Sequence, residues 1–278
     1  MKWLLVFFFF LFNGSLSAKR FIDSYWLHCD AYQSSSNCKQ SFHEWGFYPD
    51  FDNNPSLTSS MKKRFYPFLL PVDHPLKPRL DALFSSRRLT ENKEILIEAG
   101  FKVLHSQLGS FITVARHPDF PGIIFKLYLD SETRRRLEYP GWYWLANRCE
   151  GARKIREYIK RYHIKHFDVT EKWLYVLPLS TEATLHPVLI VETDMNVVKK
   201  SEVIWKEMND KVVLDELYLI LSHGYGSCKV DENVPYSQNG QFVFIDTEYP
   251  KRALSLNDVK MFLSEKMCAY WDQLIEKK

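Results

Sequence analysis

Glycine is scarce in this 278-residue chain, with 10 in all. The chain therefore has no glycine-rich loop of the kind that wraps backbone amides closely around phosphates, and no low-complexity linker divides it into tethered modules. Long apolar runs are also missing after the first twelve residues, so no later stretch approaches the roughly 20 residues a membrane-spanning helix requires. There is no CxxC pair and no Cys/His cluster with zinc spacing, which excludes a structural zinc site. Charge of one sign is lacking too. With 37 basic and 34 acidic residues the net charge is +3, and no polyanionic partner is implied. The aromatic residues alternate with apolar strand positions rather than with Lys and Arg, so nothing points to nucleic acid.

Aromatic residues are plentiful at 15%, as in a packed globular body. The chain opens with Met1-Lys2, ten apolar residues from Trp3 to Phe12, and then Asn13-Gly-Ser-Leu-Ser-Ala18. A positive start, a short apolar run and small residues predict a signal peptide over residues 1–18, cut beside Ala18. The reading is of an exported chain, secreted or periplasmic, with no stable membrane span once the signal is removed. Of the five cysteines, Cys29 and Cys38 are spaced to close a short loop in an oxidising compartment. The odd count leaves at least one thiol free or pairing between molecules.

Residues 19–98 read as an N-terminal extension, irregular to about residue 60 and then carrying two short helices, Lys77–Phe84 and Glu91–Ala99, ended by Gly100. The prolines of Phe65-Tyr-Pro-Phe-Leu-Leu-Pro71 favour extended backbone. Residues 99–195 change pattern. Phe101–His105, Phe111–Arg116 and Gly122–Tyr128 are strand-like, Trp142–Tyr162 is helical with a stripe of Ala152, Ile155, Ile159 and Tyr162, and Lys172–Leu177 and Pro187–Glu192 are again strands. Residues 196–278 are mainly helical, with helices over Lys200–Met208, Val212–Ser222 and near Ser255–Glu276, and one strand over Gln241–Ile245.

Three strands, a helix and two strands, in that order, resemble the small lobe of the protein-kinase fold. Ile123-Ile-Phe-Lys126 resembles the third-strand motif whose lysine contacts nucleotide phosphates, and Pro187-Val-Leu-Ile-Val-Glu192-Thr193 resembles the fifth strand and hinge that receive adenine. Cys228-Lys-Val-Asp-Glu-Asn233 resembles the catalytic loop, whose Asn binds metal. Asp246-Thr-Glu248 resembles the Asp-Phe-Gly motif, and its thirteen-residue distance from Asn233 matches the family's step. The resemblance implies an α+β fold with a five-stranded antiparallel N-lobe, one main helix and a short, mostly helical C-lobe. It implies nucleotide contacts from Lys126 and Glu192, Mg or Mn on Asn233 and Asp246, and ATP as cofactor. It also implies an ion pair from Lys126 to a glutamate on the helix, with Glu157 at the suitable distance and Glu150 as its rival.

The departures bear on activity. Cys228 stands where kinases place the Asp that orients the accepting hydroxyl, and a thiol is a poor carboxylate substitute. Asp231 is the replacement carboxylate considered for that catalytic role. Leu108-Gly109-Ser-Phe111 keeps one glycine of the usual lid, and about thirty residues follow Asp246-Thr-Glu248. The expectation is an exported kinase-like protein, catalytically impaired, that binds nucleotide or divalent metal and acts through contacts with a protein partner of unknown identity. The alternatives are an active atypical phosphotransferase and an exported interaction protein with no nucleotide site.

Overall fold

The computed structural model describes residues 48–106, 112–131, 141–179, 186–248 and 253–277. The signal-peptide segment, Cys29, Cys38, and the Leu108–Phe111 loop lie outside these residues. Four short helices come first, α1 (Pro49–Asp52), α2 (Ser59–Phe65), α3 (Lys77–Ser85) and α4 (Lys93–Glu98), with a 3-10 turn over Tyr66–Phe68. They lead into β1 (Lys102–His105), β2 (Thr113–Arg116) and β3 (Ile123–Leu127), then the long α5 (Gly141–Tyr162), β4 (Phe167–Val169), β5 (Lys172–Val176) and β6 (Val188–Thr193). The remainder comprises α6 (Ser201–Glu207), α7 (Lys211–Ser222), α8 (Val230–Asn233), β7 (Phe242–Phe244), a 3-10 segment (Leu256–Phe262) and α9 (Glu265–Glu276).

Five strands form one antiparallel sheet in the order β1-β2-β3-β6-β5. The fold is α+β, as expected. Strand periodicity sorts the side chains onto two unlike faces. Phe125 lies opposite Val191, Trp173 opposite Val191 and Tyr175 opposite Leu189, so these share one face with Ala115 and Leu127. That face is buried under Leu80 and Phe84 of α3, Leu96 of α4 and Leu70. Residues 77–98, expected as part of an extension, thus close the sheet's hydrophobic core. Residues Pro49–Lys278 form one compact unit.

The other face carries Ile124, Lys126, Ile190, Glu192, Lys172 and Leu174 by the same register, and α5 packs across it. The buried side of α5 runs through Leu145, Arg148, Cys149, Ala152 and Ile155. It therefore starts earlier than the stripe predicted from the sequence. Tyr162 is 44% exposed and packs its ring at a tilt against that of Tyr158, with centroids 5.1 Å apart. Along its far half α5 reaches a second core, where Ile155 and Ala152 meet Phe167, Trp205, Leu217, Phe242, Phe244 and Trp271. One helix thus belongs to both cores.

The edge and the ends of elements have local causes. Leu70 N–H donates to the Leu174 carbonyl at 2.9 Å, and Leu69 bridges Leu174, so the extended chain after α2 covers the outer edge of β5. Asn92 caps α4 by accepting from Ile95 N–H at 2.9 Å, and Asp210 caps α7 from Val212 N–H at 2.8 Å. The expected single helix Ser255–Glu276 is instead broken at Leu263, whose backbone is extended. The break lets Val259, Leu263, Met267 and Trp271 all enter the core, and Lys206 Nζ takes up the Met261 and Leu263 carbonyls that the break frees. Several elements were not expected. α1 and α2 lie in the stretch before the predicted helices, and the 3-10 turn over Tyr66–Phe68 replaces part of the expected extended segment. β4 is three residues long and pairs in parallel with β7, and α8 is a single turn.

Candidate functional site

The polar face of the sheet should be costly, because charged groups there lose hydration unless they are paired. The pairing is built across strands. Lys126 Nζ of β3 lies 3.0 Å from Glu192 Oε1 of β6, and Lys172 Nζ of β5 lies 3.1 Å from Glu192 Oε2. All three residues are buried, with 7%, 2% and 3% of the surface of Lys126, Glu192 and Lys172 exposed. Both ammonium groups also donate to the Ile245 carbonyl, each at 2.8 Å. That carbonyl precedes Asp246, so the sheet holds the end of β7 by two charged hydrogen bonds.

A second set of pairs comes from α5. Arg148 Nε lies 3.3 Å from Asp246 Oδ1, and its Nη2 lies 3.2 Å from Glu248 Oε2. The helix and the 246–248 segment touch closely: Thr247 Oγ1 donates to the Arg148 carbonyl at 2.6 Å. The contact requires Gly151, since a Cβ there would stand 2.2 Å from the Thr247 carbonyl oxygen. Lys126, Lys172 and Arg148 thus meet Glu192, Asp246 and Glu248, three cations against three carboxylates.

The electrostatics follow from burial and neighbours. Burial pushes the Lys172 ammonium down to about 8, aided by the Lys126 charge and opposed by Glu192. Burial raises the Asp246 carboxyl, but the charges of Arg148, Lys126 and Lys172 outweigh it and leave the group below its ordinary value. Burial disfavours the Arg148 cation, yet Asp246 and Glu248 raise its value, so it stays charged. Burial also pushes the Cys149 thiol, on the same helix, up to about 12, which leaves it unreactive at neutral pH.

The structure brings together Lys126, Glu192 and the Asp246 segment. It brings Asn233 alongside, because Ile245 N–H donates to the Asn233 carbonyl at 3.0 Å, while the Asn233 side-chain amide donates to Ser227 Oγ at 2.9 Å. The Lys126 pairing differs from the expected one. Glu157 lies on another side of α5, facing Arg153 at 3.6 Å and Lys154 at 3.4 Å, and Glu150 pairs with Arg64 at 2.9 Å. Helical rotation carries both acids off the buried stripe, and Glu192 takes the place they were expected to fill. Cys228 is buried in the second core. Asp231 sits half-buried in the first turn of α8.

Two participants, Lys172 and Arg148, were missed from the sequence. Lys172 is directly opposite Glu192 in the β5–β6 register, the arrangement in which opposite charges on neighbouring strands attract. Arg148 is spaced four and seven residues before Ala152 and Ile155, so a charge on the apolar stripe was the available signal. Among the described residues no three His, Cys, Asp or Glu side chains gather as a metal group, and no helix is long and apolar enough to cross a membrane. No family model, curated protein or solved structure matches the chain.

Proposed function

We propose that the chain is an exported, catalytically impaired kinase-like protein that holds a nucleotide through Lys126 and acts through contacts with a protein partner. The observation that carries this reading is the convergence of Lys126 with the Asp246 segment across 119 residues of sequence, on a sheet whose crossover helix lies between β3 and β5. Phosphoryl transfer asks the protein for neutralised phosphate charge, a metal and an oriented nucleophile. Lys126 supplies the first. Impairment is supported by the other two: Arg148 covers the Asp246 carboxylate, and the position of the acceptor-orienting carboxylate holds the buried Cys228. Export rests on the pattern of residues 1–18.

Two measurements on the full chain test this. Saturating ATP should raise the melting temperature, because ligand bound only to the folded state stabilises it by about 1.4 kcal/mol at ten times Kd. Labelled γ-phosphate should pass neither to the chain itself nor to a generic protein. Transfer that disappears in Asp246→Asn would establish an active phosphotransferase instead. The absence of any shift at millimolar nucleotide would leave an interaction protein without a nucleotide site.

A further inference from the structure

We propose that Arg148 is the resident cation of this site, standing where a kinase-like site would hold a divalent metal, so that a nucleoside polyphosphate binds here without metal. The inference rests on the nucleotide reading above and specifies its chemistry. A hard divalent cation needs several oxygen ligands at about 2.0–2.6 Å. The residues present do not fit that demand. The Asp246 oxygen that would lead such a set already has a guanidinium nitrogen at 3.3 Å, and Glu248 has another at 3.2 Å. A divalent ion on the same carboxylate would sit within a few ångströms of a fixed positive charge.

Arg148 is not free to withdraw. Only 3% of it is exposed, its own carbonyl is held by Thr247 Oγ1, and the Gly151 contact presses the helix against the 246–248 segment. Moving the guanidinium away means separating α5 from that segment. Two further features suit an anionic ligand. Arg148 Nη1 is buried without a hydrogen bond of ordinary geometry among the described residues, and the Tyr128 hydroxyl also approaches the guanidinium, so a phosphate oxygen would compete with Tyr128 for this charged group. The Asp246 side chain beside it is 36% exposed, so Asp246 borders solvent although the Oδ1 that faces Arg148 is buried. Lys126 supplies the second charge, and Lys172 keeps Glu192 neutralised when Lys126 turns to a ligand.

The test is a set of thermal-shift and calorimetric titrations of the full chain with ATP and with inorganic triphosphate. Each is run in EDTA, with Mg²⁺ or Mn²⁺, and with each metal alone. The expected result is a shift in EDTA at least as large as that with metal, and none from metal alone. In Arg148→Gln, binding in EDTA should weaken at least tenfold while metal begins to help. Glu248→Gln frees more of the guanidinium charge and should tighten metal-free binding several-fold. This second variant, with the wild-type arms, decides the matter if Arg148→Gln does not fold. A shift that requires metal, a shift from metal alone, or tenfold weaker metal-free binding in Glu248→Gln overturns the role of Arg148 and leaves the nucleotide reading standing. No shift in any arm overturns both.

Discussion

Replacing Gly151 with alanine sets two known effects against each other. In an ordinary helix interior the change is favourable, because alanine exceeds glycine in helix propensity by about 1 kcal/mol. In α5 the added Cβ would stand 2.2 Å from the Thr247 carbonyl oxygen and 3.1 Å from its carbon. These are backbone atoms, so no rotamer change relieves the clash; ordinary contact needs the 246–248 segment to retreat by about 1 Å. Overpacking of this kind costs about 1–3 kcal/mol. The retreat also lengthens the Thr247–Arg148 hydrogen bond, now 2.6 Å, which contributes about 1 kcal/mol.

The opposing effects leave Gly151→Ala less stable by about 2 kcal/mol. For a unit of this size each kcal/mol moves the melting temperature by about 2–4 °C. Urea unfolding gives the free energy, and an unchanged slope with denaturant shows that the unfolded state is not responsible. Gly122→Ala is the control for conformation without crowding: its Cβ meets nothing within 4 Å, but φ is +77°, a strain of about 1–2 kcal/mol. If Gly151→Ala is as stable as wild type or more so, the 246–248 segment is not packed against α5 as described. The site built on that contact then fails with it.

Other perturbations isolate other parts. Phe125 is fully buried, with the rings of Phe101 and Phe120 edge-on at 5.2 and 5.6 Å. Phe125→Ala should cost about 3–5 kcal/mol in urea unfolding, and a loss under 1 kcal/mol would contradict a core on that face. Lys172→Met should change the pH profile of stability. The ammonium titrates near 8 when folded and at its ordinary 10.5 when unfolded, so in that window the unfolded chain binds more protons and wild-type stability gains with rising pH. The difference between wild type and variant should therefore rise between those values by up to about 3 kcal/mol. Cys149 acts in the opposite sense above pH 9 but is common to both proteins; parallel profiles would show that Lys172 is not desolvated. Arg64→Ala removes a half-exposed side chain from Asn147 and Glu150 and should cost about 1 kcal/mol at low salt, less at high salt.

Much of the fold was legible because backbone pattern is local. The β-branched runs in Ile123–Leu127 and Val188–Thr193 announce buried strands, and Gly100 marks a helix end that the structure keeps. β4 was hidden because three residues, Phe167–Val169, cannot display a period. α9 was read too long because an amphipathic pattern continues through the break at Leu263. The site was half legible for a related reason. Lys126 and Asp246 end or interrupt apolar strands and so declare themselves, but their partners depend on register and helix rotation. The distance before the next strand favoured Glu157. The answer lay in the cross-strand neighbours, where Glu192 faces Lys172 and Ile124, and in Arg148 on the inward stripe of α5.

Buried ion pairs seldom stabilise a protein more than well-packed apolar residues would, because each charge gives up its hydration. Six charged groups drawn from β3, β5, β6, α5 and the chain after β7 are therefore a poor means of holding a sheet together. They are better suited to exchange. Glu192 has two ammonium partners, so one can leave without stranding a buried carboxylate. Ile245 likewise accepts from both lysines, and the loss of one donor leaves its carbonyl satisfied. A single lysine would have to choose between its carboxylate and a ligand, whereas a pair of lysines lets Lys126 turn to a phosphate while Lys172 remains. On the proposed reading that redundancy is the functional content of the second lysine. The variant that removes it should bind nucleotide more weakly even where its folded stability at neutral pH is unchanged.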